Sequence, residues 1–129
     1  MTVVLDTHAW IWWVSEPARL GRVARREIGR ARKIGVPAIC CLEVATLSSR
    51  GRIRLDRPPL EWMQDALALP CVELISITPA VAVKAAELPA SFSGDPADRL
   101  VAATAILESA LLITKDQRMQ DSEIVRTAW

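Results

Sequence analysis

The alternation of short apolar runs with longer helical patterns most constrains the fold of this chain. The run TVVL at residues 2–5 is β-branched, lacks polar alternation and ends at Asp6. Such a run is typical of a strand covered on both faces. Further strands are predicted at VPAIC, VELISIT, LLIT and, at the C-terminus, EIVRTAW. Helical patterns separate them, at about residues 8–14, 17–33, 41–50, 59–70, 79–88 and 95–109. Strands that alternate with helices predict an α/β domain with a mainly parallel central sheet between helical layers.

Length and composition favour one folded domain over residues 1–129. A chain of 129 residues can bury one core, and its 51% hydrophobic and 24% charged residues are close to globular averages. The apolar N-terminal stretch has no basic leader and is interrupted by Asp6 and His8, so neither secretion nor membrane insertion is expected. Three cysteines without metal-ligand spacing suggest small buried side chains in a reducing cytoplasm.

Four acidic residues are expected at one edge of the sheet. Asp6 ends the first strand, Asp116 follows LLIT, Glu43 lies in the first turn after VPAIC, and Asp98 begins the helix that returns to LLIT. In parallel sheets, functional groups collect beyond the carboxyl ends of the strands. Singly, each acid has a structural explanation, such as helix capping. Clustered carboxylates require a counter-charge, however, and Mg²⁺ or Mn²⁺ prefers such oxygen ligands. These ions activate water and stabilise phosphate charge, which is the chemistry of phosphodiester hydrolysis.

The segment GDPADR places two aspartates around a proline, Asp95 and Asp98. Asp95 suits the N-cap position of a helix, with Pro96 at its first position and Asp98 at its third. The capping bond belongs to the residue before the proline, so we interpret Asp95 as the cap and a candidate outer ligand. Asp98 is then the candidate for the metal.

Basic residues are concentrated between residues 19 and 33, although the net charge is only +1. Their spacing of 3, 4, 4 and 3 predicts one helical face made of Arg19, Arg22, Arg26, Arg30 and Lys33. Two interpretations stay open: a solvated outer face, or a phosphate-contacting surface.

Four motifs occur in a fixed order along most of the chain: VVLDTHAWIWW, CCLEVATL, DPADRLVAATA and LLITKDQRM. Together they resemble the PIN domain, and more narrowly the VapC-like ribonuclease toxins of bacterial type II toxin–antitoxin systems. The resemblance implies a three-layer α/β/α fold and an RNA endonuclease that depends on Mg²⁺ or Mn²⁺. It also implies a homodimer and a cognate antitoxin, a segment of which occupies the groove of the toxin.

The resemblance also assigns roles to individual residues. The positions of the four family acids match Asp6, Glu43, Asp98 and Asp116. Thr114 matches a small polar residue that accompanies the fourth acid.

Two features depart from the family pattern. SFSG precedes DPADR where a basic or histidine-containing segment is common, and Arg118 stands where some relatives carry an extra acid. Asp121 is a doubtful substitute for that acid. The resemblance therefore leaves open whether one or two metal ions bind.

His8 is the only histidine, which excludes a histidine pair for metal-free RNA cleavage within one chain. It is a candidate for binding substrate or ordering Asp6, or for packing against Trp12.

Trp10, Trp12 and Trp13 cannot all lie in one buried stripe of a helix, which suggests a partner on one face. A PIN-like domain that binds RNA or protein without cutting is the alternative function.

Overall fold

The computed structural model describes all of residues 1–129. The strands are β1 Thr2–Leu5, β2 Lys33–Pro37, β3 Val72–Ile75, β4 Leu111–Ile113 and β5 Thr127–Ala128. The helices are α1 Thr7–Ser15, α2 Arg22–Arg30, α3 Ala38–Ser49, α4 Pro59–Leu67, α5 Pro79–Glu87, α6 Pro96–Leu107 and α7 Gln117–Asp121, and a 3₁₀ turn spans Pro17–Arg19. Strands and helices therefore alternate as predicted.

The five strands form one sheet in the order β3-β2-β1-β4-β5, and every pairing is parallel. This confirms the predicted α/β class. The chain moves from β1 through β2 to β3 and then crosses back to β4 and β5. Right-handed crossovers in opposite directions place their helices on opposite faces, which produces three layers. The direction changes between β1 and β4, and open α/β sheets form their ligand crevices at such a point.

The core is centred on β1 and β4. Val3, Val4 and Leu5 of β1 are fully buried, as is Leu112 of β4, because helices cover both faces of these central strands. On one side, the fully buried Trp10 of α1 packs edge-on against another tryptophan of α4, with ring centroids 5.1 Å apart. The residues that follow the carboxyl ends of β1 and β4 are therefore attached to rigid, well-packed elements.

The predicted positions of the second strand and the helix before it were wrong. β2 begins at Lys33, and Ala38 already begins α3, so the expected strand VPAIC is displaced toward the N-terminus. Gly35 lies inside β2. A Cβ atom there would clash with Cδ1 of Ile75 and lie 3.3 Å from Cγ2 of Val4. A larger residue at this position would therefore require the end of the Ile75 side chain to move.

The predicted basic face is also divided by this correction. Arg19 lies in the 3₁₀ turn and Lys33 in β2, so only Arg22, Arg26 and Arg30 share a helix. Lys33 instead forms ion pairs that join β2 to β3 and to the end of α6. A continuous helical stripe from residue 19 to residue 33 does not exist.

Smaller differences occur at other element ends. β3 ends at Ile75 rather than at Thr78, and α6 ends at Leu107, two residues before Ser109, which has a positive φ of 51°.

Cys71 is exposed, contrary to the expectation of a buried thiol. No helix has the length and apolar character that crossing a membrane requires.

Candidate active site

An open cavity of about 980 Å³ lies where the carboxyl ends of β1 and β4 meet one face of α3 and the N-terminal half of α6. Its lining includes five acids, namely Asp6, Glu43, Asp95, Asp98 and Asp116. The structure therefore brings together all four acids that the sequence singled out as metal ligands, with Asp95 beside them. Because α3 begins at Ala38, Glu43 lies in the second turn of the helix rather than in the first.

Asp6 links the end of β1 to the start of α1. Its Oδ1 accepts a hydrogen bond from the backbone N–H of Ala9 at 2.9 Å, which caps the helix. Burial raises the pKa of this carboxyl to about 6, although hydrogen bonds from Thr114 and Ala9 oppose the shift. No lysine or arginine forms an ion pair with Asp6. Its carboxylate thus lies among protein atoms without a partner of opposite charge in contact.

Glu43 is oriented by the first residue of α1. The Thr7 hydroxyl donates to Oε1 of Glu43 at 2.5 Å, and Thr7 itself is buried. The junction between β1 and α1 therefore positions two acids, Asp6 directly and Glu43 through this hydroxyl. Sequence reasoning missed Thr7, and its position directly after Asp6 was the available signal.

Asp98 is held by the loop before α6 as well as by the helix. Ser93 donates to Oδ2 of Asp98 at 3.1 Å and accepts the N–H of Asp95 at 3.1 Å. Asp95 is the N-cap residue, because its Oδ1 accepts the N–H of Ala97 at 2.8 Å. Burial, followed by the neighbouring Asp95 charge, raises the pKa of Asp98. Ser93 lies in the SFSG segment and was not recognised from sequence.

Asp116 differs electrostatically because it has a basic partner. Nη2 of Arg118 lies 2.9 Å from Oδ2 of Asp116 and 3.3 Å from Oδ2 of Asp98. The hydrogen bonds from Arg118 hold the pKa of Asp116 below its usual value. Arg118 therefore supplies the positive charge that this acid pair needs in the metal-free protein.

Two auxiliary candidates contact these acids or line the same cavity. Thr114 is fully buried, lowers the pKa of the neighbouring Asp6, and accepts the N–H of Asp116 at 3.0 Å. It thus joins the ends of β1 and β4. His8 is exposed in the cavity lining and lies 5.4 Å from Trp12 between ring centroids. His8 therefore packs against Trp12, and a role in binding substrate or ordering Asp6 stays a prediction.

The arginines chosen from the sequence as nucleic-acid contacts lie elsewhere. None of Arg19, Arg22, Arg26 and Arg30 lines the cavity, whereas Arg50, Arg52, Lys115 and Arg118 do. Arg19 does contact a lining residue, because its guanidinium carbon lies 4.4 Å from the centroid of the Trp12 ring. A signal for Arg50 was present, since it follows Glu43 by seven residues and so shares its helical face.

Residues 3–124 match the family model of the PIN domain. The chain belongs to the PIN domain family. It is 44% identical to Ribonuclease VapC22 of Mycobacterium tuberculosis, over 99% of this chain and 98% of that protein. Among solved structures, the fold is similar to DNA-bound VapBC from Salmonella typhimurium, with a TM-score of 0.73, 12% identity and coverage of 99% and 97% of the two chains. It is also similar to promoter-bound VapBC2 from Rickettsia felis, with a TM-score of 0.72, 14% identity and coverage of 99% and 98%. These findings confirm the resemblance and the fold that it implied.

The acids of this PIN domain line one cavity but do not form a closed cage. No three His, Cys, Asp or Glu side chains lie close enough together to hold an ion among themselves. Asp121 is exposed, accepts a hydrogen bond from Gln117 at 2.8 Å and does not line the cavity, so it does not replace the missing family acid. The donor set consists of carboxylates and hydroxyls, which suits hard divalent cations.

Proposed function

We propose that this protein is an endoribonuclease that hydrolyses RNA phosphodiester bonds with Mg²⁺ or Mn²⁺, as the toxin of a toxin–antitoxin pair. One observation carries the proposal: Asp6, Glu43, Asp98 and Asp116 line one cavity at the switch point of the sheet. The 44% identity to a ribonuclease over nearly the whole chain supports the same activity. The full 129 residues would act as one PIN-like domain in the cytoplasm.

The carboxylates fit a Mg²⁺ site of the open kind. Mg²⁺ keeps several waters and commonly takes only one or two protein carboxylates, so a closed cage is not required. Asp6 lies without a basic partner, and the pair Asp98 and Asp116 already attracts the cationic Arg118. When bound, Mg²⁺ or Mn²⁺ lowers the pKa of a water molecule and stabilises the charge that develops on the phosphate. Of Asp6, Glu43, Asp98 and Asp116, one or two carboxylates would hold the ion directly, and the others would act through its bound water molecules.

The neighbouring hydroxyls of this chain would keep the acids in place. Thr7 donates to Glu43, Ser93 donates to Asp98, and the Thr114 side chain lies near Asp6 and lowers its pKa. Each hydroxyl fixes one carboxylate, so that its remaining lone pairs stay available to the cavity. The proposed role of these side chains is orientation, since a misplaced ligand weakens metal binding and rate together.

Exposed apolar residues support protein partners. Leu42 lines the cavity with 63% of its surface exposed, and Leu60 on α4 is 69% exposed. We infer that an antitoxin segment covers the Leu42 side of the cavity. Leu74 and Ile77, on or just after edge strand β3, and Val83 on α5 are also exposed, and we assign them to a homodimer contact.

The test is cleavage of RNA by the purified protein with and without divalent ions. We expect cleavage only with Mg²⁺ or Mn²⁺, and none from Asp6→Asn. Asp121→Asn is the matched control, because it removes an equal charge from an exposed acid outside the cavity. Cleavage in EDTA, or an active Asp6→Asn protein, would refute the metal mechanism. RNA binding without any cleavage would instead favour the silent PIN-like module.

A further inference from the structure

Three basic side chains of the cavity lining have no acidic partner. Arg50 and Arg52 follow the end of α3, Lys115 follows β4, and all three are exposed. None takes part in an ion pair, although five acids line the same cavity. We call Arg50, Arg52 and Lys115 the basic rim.

We propose that the basic rim binds the phosphates of an RNA strand on both sides of the acids. The inference rests on the proposed ribonuclease function and names the residues that hold its substrate. Arg50 and Arg52 follow the helix after β2, and Lys115 comes two residues after β4. Strand β1, which Asp6 follows, lies between β2 and β4 in the sheet. A strand that runs from one part of the rim to the other therefore crosses the acids.

The geometry of α3 sets the spacing on one side. Glu43 and Arg50 are seven residues apart, which places them on the same helical face about two turns, or roughly 10 Å, apart. The intervening turns also face the cavity, through Thr46 and Leu47. About three nucleotides of a stacked strand, at ~3.4 Å each, span that distance. A strand with one phosphate near the acids thus presents another to Arg50.

On the other side, Trp12 holds the cations near the cavity. The Lys115 ammonium lies 5.6 Å from the centroid of the Trp12 ring, and the Arg19 guanidinium carbon lies 4.4 Å from it. Cation–π attraction keeps such side chains over the ring and restricts their freedom before substrate binds. Arg19 is also paired with Glu16 at 3.2 Å, so Lys115 is the freer of the two cations for a phosphate.

The basic face of α2 differs in position and in pairing. Arg26 and Arg30 share the carboxylate of Glu27, at 3.4 Å and 3.9 Å, and α2 packs against edge strand β5. No residue of α2 lines the cavity. Arg22 and Arg26 therefore have the same charge as the rim arginines and are likewise exposed, but they lie outside the cavity. This makes them suitable control positions.

An RNA strand fits this rim better than an acidic peptide does. Arginine forks bind phosphate oxygens through paired hydrogen bonds, and the rim passes directly over carboxylates that suit a divalent ion. A phosphate bound along the rim would lie beside the carboxylates that would hold the ion, whereas a peptide carboxylate bound there has no further role in the cavity.

The experiment measures how RNA binding depends on salt. A labelled single-stranded RNA of mixed sequence is titrated with protein in EDTA over a range of KCl concentrations, so that no metal-dependent cleavage occurs. For single strands, each lost phosphate contact reduces the slope of log K against log salt by ~0.7. We expect the slope to become shallower by about 1.4 in the double variant Arg50→Gln/Arg52→Gln. The control Arg22→Gln/Arg26→Gln should keep the wild-type slope.

The possible results separate the inference from the proposed function. An unchanged slope in the rim variant, or an equal change in the control, overturns the inference. So does a rim variant that loses binding to poly-L-glutamate but keeps its RNA slope, because the rim then serves an acidic protein. Should the double variant fail to fold, Lys115→Gln alone must reduce the slope by about 0.7. If wild-type protein with Mg²⁺ fails to cut the same RNA, the proposed function fails while the slope still tests the rim.

Discussion

Replacing Asp6 by asparagine should stabilise the metal-free protein at neutral pH. Burial raises the pKa of Asp6 to about 6, from an ordinary value of 3.8, and no basic side chain pairs with its carboxylate. Asparagine retains an oxygen that can accept the Ala9 N–H, and it caps helices as well as aspartate does. The substitution therefore removes a buried charge and keeps the local hydrogen bond.

The size of the effect follows from the two pKa values. A tenfold change in proton affinity corresponds to about 1.4 kcal/mol, so the ionised carboxylate costs the folded state at most about 3 kcal/mol. Part of the Asp6 side chain faces the cavity water, which reduces this cost. The pKa of Asp6 is higher in the folded than in the unfolded protein, so protonated Asp6 stabilises the fold relative to the ionised form. This stabilisation is fully present below pH 3.8 and is lost as pH rises through about 6.

Urea denaturation in EDTA at several pH values between 4 and 7 measures the difference between wild type and Asp6→Asn. We expect the variant to gain stability relative to wild type as pH rises through about 6. Other titrating groups are common to both proteins and cancel in this comparison. Asp121→Asn, at an exposed acid, should show no such trend. A variant that is less stable than wild type at pH 7, or a difference that does not change with pH, would refute the reasoning.

Two further predictions concern the other acids of the cavity. Asp95→Ala should lower the free energy of unfolding by roughly 1 kcal/mol, because it removes the cap of α6, whereas Asp98→Asn should spare the fold and abolish cleavage. Urea denaturation and the cleavage assay separate the two, and a loss of stability alone in both variants would reduce the segment to a helix start. Arg118→Gln should raise the pKa of Asp116 and tighten Mg²⁺ binding in calorimetry, because it removes a cation that competes for two carboxylates. An unchanged Mg²⁺ affinity would show that Arg118 does not compete with the ion for these carboxylates.

The sequence predicted the acidic cavity through a topological argument. Asp6 and Asp116 follow apolar runs that are strands, and parallel strands end at a common edge. The helix start at Asp95 obeyed local capping rules, and the structure has that cap. The catalytic roles of the four acids remain predictions. The order of these motifs was enough to identify the family, because short signals gain specificity from their joint arrangement.

The region from residue 17 to residue 40 was predicted poorly for a physical reason. Arginine, alanine and lysine are good helix formers, so local propensity favoured one long helix. In the folded chain Gly35 pairs with Val4 of β1 and Glu73 of β3, and both partners are distant in sequence. Propensity is a weak influence that tertiary packing overrides, and no window of local sequence contains those pairings.

The sequence by itself determined the α/β class, the order of the strands along the chain and the acids that end them. These depend on local hydrophobicity and on the fixed direction of parallel strands. Only the tertiary structure decided that Thr7 and Ser93 orient two acids, that Arg118 neutralises Asp98 and Asp116, and that Arg50 faces the cavity while Arg22 does not. Hydrogen bonds and charge interactions act over a few ångströms in space. Residues far apart in sequence meet at those distances only after the chain has folded.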